Sequence, residues 1–129
     1  KEFNATVYDR CTYIVNENQR LLAGCDALRH NDLPGFGEMM YASHKGLSKR
    51  YEVSCKELDF LVEKTKLING VVGARMMGGG FGGCTINIVQ ENKIENFTQQ
   101  IQHGYQQQFA KTPEIYVMEL EEGAGIISQ

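Results

Sequence analysis

The chain has 129 residues, 42% of them hydrophobic and 22% charged, with a net charge of −3. That is the size and balance of one globular domain, long enough to bury about two-thirds of the surface its unfolded form exposes. The acidic balance and the lack of any Lys/Arg cluster argue against nucleic acid as the main partner.

No apolar run reaches the length needed to cross a membrane, and the first residues do not read as a secretory signal. Cys11, Cys25, Cys55 and Cys84 have no CxxC or zinc-type spacing, and three of them fall on apolar faces where buried free thiols are common. The expected location is cytoplasmic.

In chain order, the first element is a helix from about Thr6 to His30. Val7, Cys11, Ile14, Val15, Leu21, Leu22, Cys25 and Leu28 recur with the helical period expected of one buried face, and Gly24 weakens the helix without breaking it. Asn31-Asp32-Leu33-Pro34 reads as a stop and restart, with Asp32 able to cap and Pro34 suited to a first turn. The second helix places Phe36, Met40, Ser43 and Leu47 on one stripe and ends near Arg50. Ser54-Cys55-Lys56-Glu57 has the form of a capping box, with Val53 and Leu58 at the positions of a hydrophobic staple. The third helix then buries Leu58, Leu61, Val62 and Thr65 and ends at Asn69-Gly70.

Val72–Met77 and Cys84–Val89 read as strands, the second with Cys84, Ile86 and Ile88 on one face and Thr85, Asn87 and Val89 on the other. Asn92 with Glu95 opens a fourth helix carrying Ile94, Phe97, Ile101, Tyr105 and Phe109, and Pro113 ends it. Residues Ile115 to Leu120 read as a further strand, Glu121 to Gly125 as a turn, and Ile126-Ile127 as a short edge strand. The sum is an α+β domain spanning residues 1–129, an antiparallel sheet with helices packed on one face.

Between the two strands lies Gly78-Gly79-Gly80-Phe81-Gly82-Gly83. A tight hairpin needs one or two glycines at its positive-φ positions, and each glycine costs roughly 0.5–1 kcal/mol of ordering entropy relative to alanine. Five glycines in six residues therefore point to a backbone that a ligand approaches closely. Successive bare N–H groups suit an anion, phosphate above all. Phe81 is placed to anchor the loop to the body of the domain.

Residues 73–85, Gly-Ala-Arg-Met-Met-Gly-Gly-Gly-Phe-Gly-Gly-Cys-Thr, resemble the third signature motif of the GHMP small-molecule kinases in its galactokinase form. It is neither a Walker A loop nor a dinucleotide fingerprint. Glu17-Asn18-Gln19-Arg20, Phe36-Gly37-Glu38-Met39-Met40, Ser43-His44, and Tyr51 to Cys55 with Glu57-Leu58-Asp59 follow the same family in the same order. The resemblance runs from about Tyr8 to the end of the chain. Met77 stands where that family usually carries Thr, which removes a hydroxyl from the entry to the loop.

The resemblance implies the ferredoxin-like arrangement of the GHMP C-terminal lobe. It also implies transfer of the ATP γ-phosphoryl to the C1 hydroxyl of galactose with Mg²⁺, and a phosphate-binding role for Gly78, Gly79, Gly80, Phe81, Gly82 and Gly83. The N-terminal lobe motifs are not seen, so no catalytic residue is assigned within the chain. The Mg²⁺ and galactose ligands are expected on an N-terminal lobe of the same chain, and the lone lobe is expected to be inactive. Other GHMP sugar kinases, a galactokinase-like sensor of sugar and ATP, and a free-standing binding module are alternatives. An isolated lobe would expose an apolar patch near the glycine loop and tend to self-associate.

Three side-chain readings complete the picture. Arg75 either leans toward phosphate or pairs with a carboxylate on the sheet surface. Adjacent residues on a helix face different directions, so Ser43-His44 reads as a packed histidine rather than a catalytic pair. Asp59 reads as part of a solvated face, and His30 and His103 as surface residues near helix ends.

Overall fold

The computed structural model describes residues 4–119. The elements run α1 (Ala5–Arg29), α2 (Leu33–Lys49), α3 (Lys56–Thr65), β1 (Val71–Met77), β2 (Cys84–Val89), a 3₁₀ turn (Glu91–Lys93) and α4 (Ile94–Phe109). β1 and β2 form an antiparallel pair, so the α+β class and the hairpin around the glycine run agree with the sequence reading. Among the described residues, no helix is long and apolar enough to cross a membrane.

The punctuation between α1 and α2 is as expected. Asn31 takes a positive φ of 56°, which breaks α1, and the Asp32 carboxylate accepts the Gly35 N–H at 2.9 Å to start α2. The start of α3 is not as expected. Its N-cap is Cys55, with no side-chain capping bond, and the Ser54 hydroxyl donates instead to Asp59 at 2.6 Å. The capping box is therefore absent, because Ser54 spends its hydroxyl on a carboxylate one turn into the helix.

α4 begins at Ile94 with Lys93 as its N-cap, and Asn92 lies in the preceding 3₁₀ turn rather than capping the helix. It ends at Ala110 in the left-handed conformation, φ 53°, three residues before Pro113. Residues 115–119 pair with no strand, so the expected third strand does not form over the described part of that segment. Ile115 packs instead against the cluster of Ile68, Phe97 and Ile101. The turn at 121–125 and the edge strand at 126–127 lie outside the described residues.

The core sits where α2, α3 and α4 meet the sheet, around Leu58, Val62, Ala74, Met76, Phe97 and Ile101. Burying side chains of this kind contributes about 1.5–3 kcal/mol each. α2 runs along the edge of β1 that β2 leaves free. Val72 is the extra residue of a bulge in β1, and its carbonyl meets α2 at Gly37, where any side chain would collide with it. Gly73 faces the Gly37 Cα from the strand side, so two glycines set the helix-to-strand approach.

The first helix differs most from expectation. Its buried residues are Tyr13 and Gly24, while Val7, Ile14, Val15, Leu21, Leu22 and Leu28 are all exposed. Cys11, Cys25 and Cys84 are exposed as well, not buried. The reason is the packing of α1 on α2. The Tyr13 ring lies over Gly46 and the Phe36 ring lies over Gly24, an exchange in which each helix offers an aromatic to a glycine of the other. Tyr13 also stacks with Tyr51 at 5.3 Å between centroids. That seam outcompetes the aliphatic stripe for α2, because only a glycine allows a ring to lie against the helix backbone. On β2, likewise, Cys84 and Ile86 face outward, and the interior is covered from the Ala74 and Met76 side of β1.

Candidate functional site

The ladder closes at Met77 and Cys84, leaving the six residues from Gly78 to Gly83 as the connection. Gly78, Gly80, Gly82 and Gly83 take φ values of 79°, 86°, 137° and 92°, conformations that glycine adopts without strain. Phe81 also has a positive φ, 59°, unusual for a bulky residue.

The loop is pinned at its centre. The Phe81 N–H donates to the Val53 carbonyl at 2.7 Å, and a Cβ on Gly80 would collide with that same carbonyl. Phe81 does anchor the loop, but through its backbone: the ring is 78% exposed. Val53 is itself held, its N–H donating to the Leu47 carbonyl at 3.0 Å, so a line of main-chain bonds runs from α2 through Val53 to the loop.

On both sides of the pin the backbone is open. A Cβ on Gly78, Gly79, Gly82 or Gly83 would meet nothing within 4 Å. Gly79 stands apart, because its φ is not in the positive region either. Neither conformation nor internal packing requires a glycine there. Bare N–H groups held in a fixed, exposed loop are the arrangement that receives an anion.

The base of the loop is a buried polar relay. His44 on α2 is 4% exposed, and its Nδ1 accepts the Met76 N–H at 3.1 Å. Nδ1 therefore carries no proton, and Nε2 bears the hydrogen, 3.2 Å from Asp59 Oδ1 on α3 but poorly aligned for a full hydrogen bond. Burial pushes the His44 pKa down, against the pull of Asp59 and Glu63, so the neutral ring is favoured. The Met76 side chain in turn underlies Gly80, its Cε 2.9 Å from where a Cβ would stand.

Asp59 is the hub of this relay rather than a member of a solvated face. Its carboxylate accepts from Ser54 at 2.6 Å and from Ser48 at 2.7 Å, with Lys49 Nζ at 3.7 Å. Burial pushes its pKa up, but the two hydroxyls, His44 and Lys49 outweigh that and hold it below the usual carboxylate range. His44 is thus a packed histidine, as read, although its partners were not foreseen.

Arg75 lies 3.8 Å from Glu17 of α1, which agrees with the carboxylate alternative rather than the phosphate one. Glu17 also takes the Ser43 hydroxyl and pairs with Arg20. Burial, then the Glu17 charge, pushes the adjacent Tyr13 hydroxyl up to about 12. Met77 is 46% exposed at the loop entry. His30 closes α1, whereas His103 sits within α4 and not near its end; both are exposed. Sequence reasoning missed Val53 as the loop's anchor, since a carbonyl's use leaves no trace in residue type. Among the described residues, no group of three or more His, Cys, Asp or Glu side chains is placed to hold a metal ion.

Comparison with known proteins places this geometry. Residues 26–107, which include the whole loop and relay, match the family described as GHMP kinases C terminal. The chain is 41% identical over 120 residues to a galactokinase of Exiguobacterium sibiricum, covering 93% of this chain and 31% of that protein. It is 41% identical over 115 residues to a galactokinase of Thermococcus kodakarensis, covering 89% and 33%. The crystal structure of Lactococcus lactis galactokinase complexed with galactose superposes with a TM-score of 0.81 at 36% identity, covering 84% of this chain and 28% of that one. The chain thus spans about three-tenths of the length of these relatives, and it corresponds to their C-terminal part. With more than half its residues inside the family segment and the glycine loop among them, the chain belongs to the GHMP kinases, as a C-terminal domain of that family.

Proposed function

We propose that residues 1–129 are the C-terminal lobe of a galactokinase, lacking the N-terminal lobe, and that the lobe supplies the phosphate loop of the enzyme. In the reaction the C1 hydroxyl oxygen of galactose forms a bond to the γ-phosphorus of ATP while the bond to the β-phosphate bridging oxygen breaks. ADP and galactose 1-phosphate result, and the hydroxyl proton is released. Such transfers depend chiefly on positioning and on neutralising charge that spreads over the transferring oxygens.

The proposed phosphate-contacting backbone is Gly78, Gly79, Gly80, Phe81, Gly82 and Gly83. Within it Phe81 holds the loop to Val53 and the open glycines face the anion. The observation that carries this reading is Gly79, a glycine that the lobe itself does not need. The Mg²⁺ ligands, the base and the sugar contacts are assigned to the N-terminal lobe, so the chain alone is inactive. All four cysteines are free, which supports a reducing, cytoplasmic setting.

The test is ATP-dependent phosphorylation of galactose by the chain extended upstream to its native start, with residues 1–129 run alongside. Activity in the long form and none in the short one is expected. A long form that binds ATP and galactose without turnover would replace this reading with the sensor. Phosphorylation of another sugar would keep the lobe and change the substrate.

A further inference from the structure

Helix α1 has a second face that nothing in the described structure covers. Val7, Ile14, Leu21 and Leu28 recur every seven residues and are 44–66% exposed. Val15 and Leu22 flank them, at 57% and 67%. Cys11 and Cys25 fall within the stripe, between these two rows, and are also exposed. At 3.6 residues per turn this stripe is centred roughly 120° around the axis from Tyr13 and Gly24, and it runs about 32 Å along the helix. Among the described residues, seven of the fifteen large exposed apolar side chains lie on α1, and Met77 and Phe81 are those at the glycine loop. A continuous apolar surface of this size marks an interaction site.

Its width indicates what covers it. A coiled-coil seam uses two positions of each heptad and sets charged residues beside them. Here three adjacent positions of the heptad carry apolar residues, those of Ile14 and Leu21, of Cys11 and Cys25, and of Val15 and Leu22, which is the broad face a helix turns toward a packed globular body. The matched family segment begins only at residue 26, near the end of α1. The similarity to the Exiguobacterium sibiricum galactokinase covers 93% of the chain and so takes in most of this helix. The remaining two-thirds of such a protein lies upstream, adjoining the start of α1.

We infer that the Val7–Leu28 stripe of α1 is the surface on which the upstream part of the same polypeptide docks, making α1 a helix shared between two lobes. This rests on the proposed reading of the chain as a C-terminal lobe. The occupant is the upstream lobe and not a second copy of α1.

Cys11 and Cys25 provide the probe. Maleimide labelling, followed site by site by mass spectrometry, is run on residues 1–129 and on the chain extended upstream to its native start. Both thiols are expected to react at the rate of exposed cysteines in the short chain and at least 100-fold more slowly in the long one. Leu21→Glu with Leu22→Glu is expected to leave the melting temperature of the short chain unchanged and to restore rapid Cys25 labelling in the long one. Equal labelling rates in the two chains overturn the inference. Protection that already appears in the short chain, rising with its concentration, overturns the occupant and assigns the face to a second copy. The labelling reads contact and not catalysis, so a long chain that protects both thiols but fails to phosphorylate galactose keeps this surface and removes the kinase reading.

Discussion

The imidazole of His44 accepts the main-chain N–H of Met76 at 3.1 Å, two residues before the glycine run begins. A helix side chain thereby satisfies the free edge of a strand at the point where that strand becomes the loop. With the Val53 carbonyl holding Phe81, the glycine loop is fixed at its root and at its centre while its flanks stay open.

Removing the ring should therefore loosen the root of the loop. His44→Ala leaves a buried N–H unpaired, which costs about 1–3 kcal/mol of stability. His44→Asn places an oxygen close to the position of Nδ1 and should recover at least half of that loss, whereas His44→Leu should not. Chemical denaturation of the three variants checks this. Equal losses for Asn and Leu would mean that the ring acts only by filling space.

The same pair sets a pH dependence. His44 has its pKa lowered in the folded chain, so the unfolded chain binds the proton more readily and acid favours unfolding. Its contribution is complete above the unfolded value of 6.5 and is lost as pH falls below that toward the folded value. Asp59 is also lowered, so its contribution holds above its unfolded value of 3.8 and is lost further into acid. Thermal stability should fall between pH 7 and 5, and His44→Asn should flatten that slope. A wild-type melting temperature independent of pH across this range would contradict the burial argument.

Gly80 and Gly79 should behave oppositely in the lobe itself. Gly80→Ala combines a positive φ of 86° with a collision against the Val53 carbonyl, and should cost more than about 2 kcal/mol. Gly79→Ala meets no neighbour and needs no unusual φ, so it should change stability by less than about 0.5 kcal/mol. Phe81→Ala should resemble Gly79→Ala, since its ring is exposed and its bond to Val53 is made by the backbone.

The glycine run, the hairpin and four helices were legible in the sequence because local chemistry decides them: Asp32 and Pro34 start α2, and alternation marks β2. What failed depended on competition between distant groups. The aliphatic stripe of α1 carries a stronger apolar signal than Tyr13 and Gly24, yet the latter pair wins α2, because the fit of rings over Gly24 and Gly46 is a property of two helices together. Ser54 fits a capping box by spacing but bonds Asp59, since that carboxylate collects donors from α2 as well as from the approach to α3. The segment from Ile115 alternates like a strand, and nothing local reveals that Ile115 packs into the α4 core without joining the sheet. In the loop, residue type located the site, and only the fold shows which member is the anchor.

The most direct measurement is the rate of ATP-dependent galactose phosphorylation by the upstream-extended protein carrying Gly79→Ala, taken with its melting temperature. If Gly79 lies against the transferring phosphate, the added methyl displaces it and kcat/KM falls by about 100-fold, the scale of losing one preorganised donor, while the melting temperature stays within about a degree. Undiminished phosphorylation at unchanged stability would show that no phosphate approaches Gly79, and would contradict the assignment of this loop.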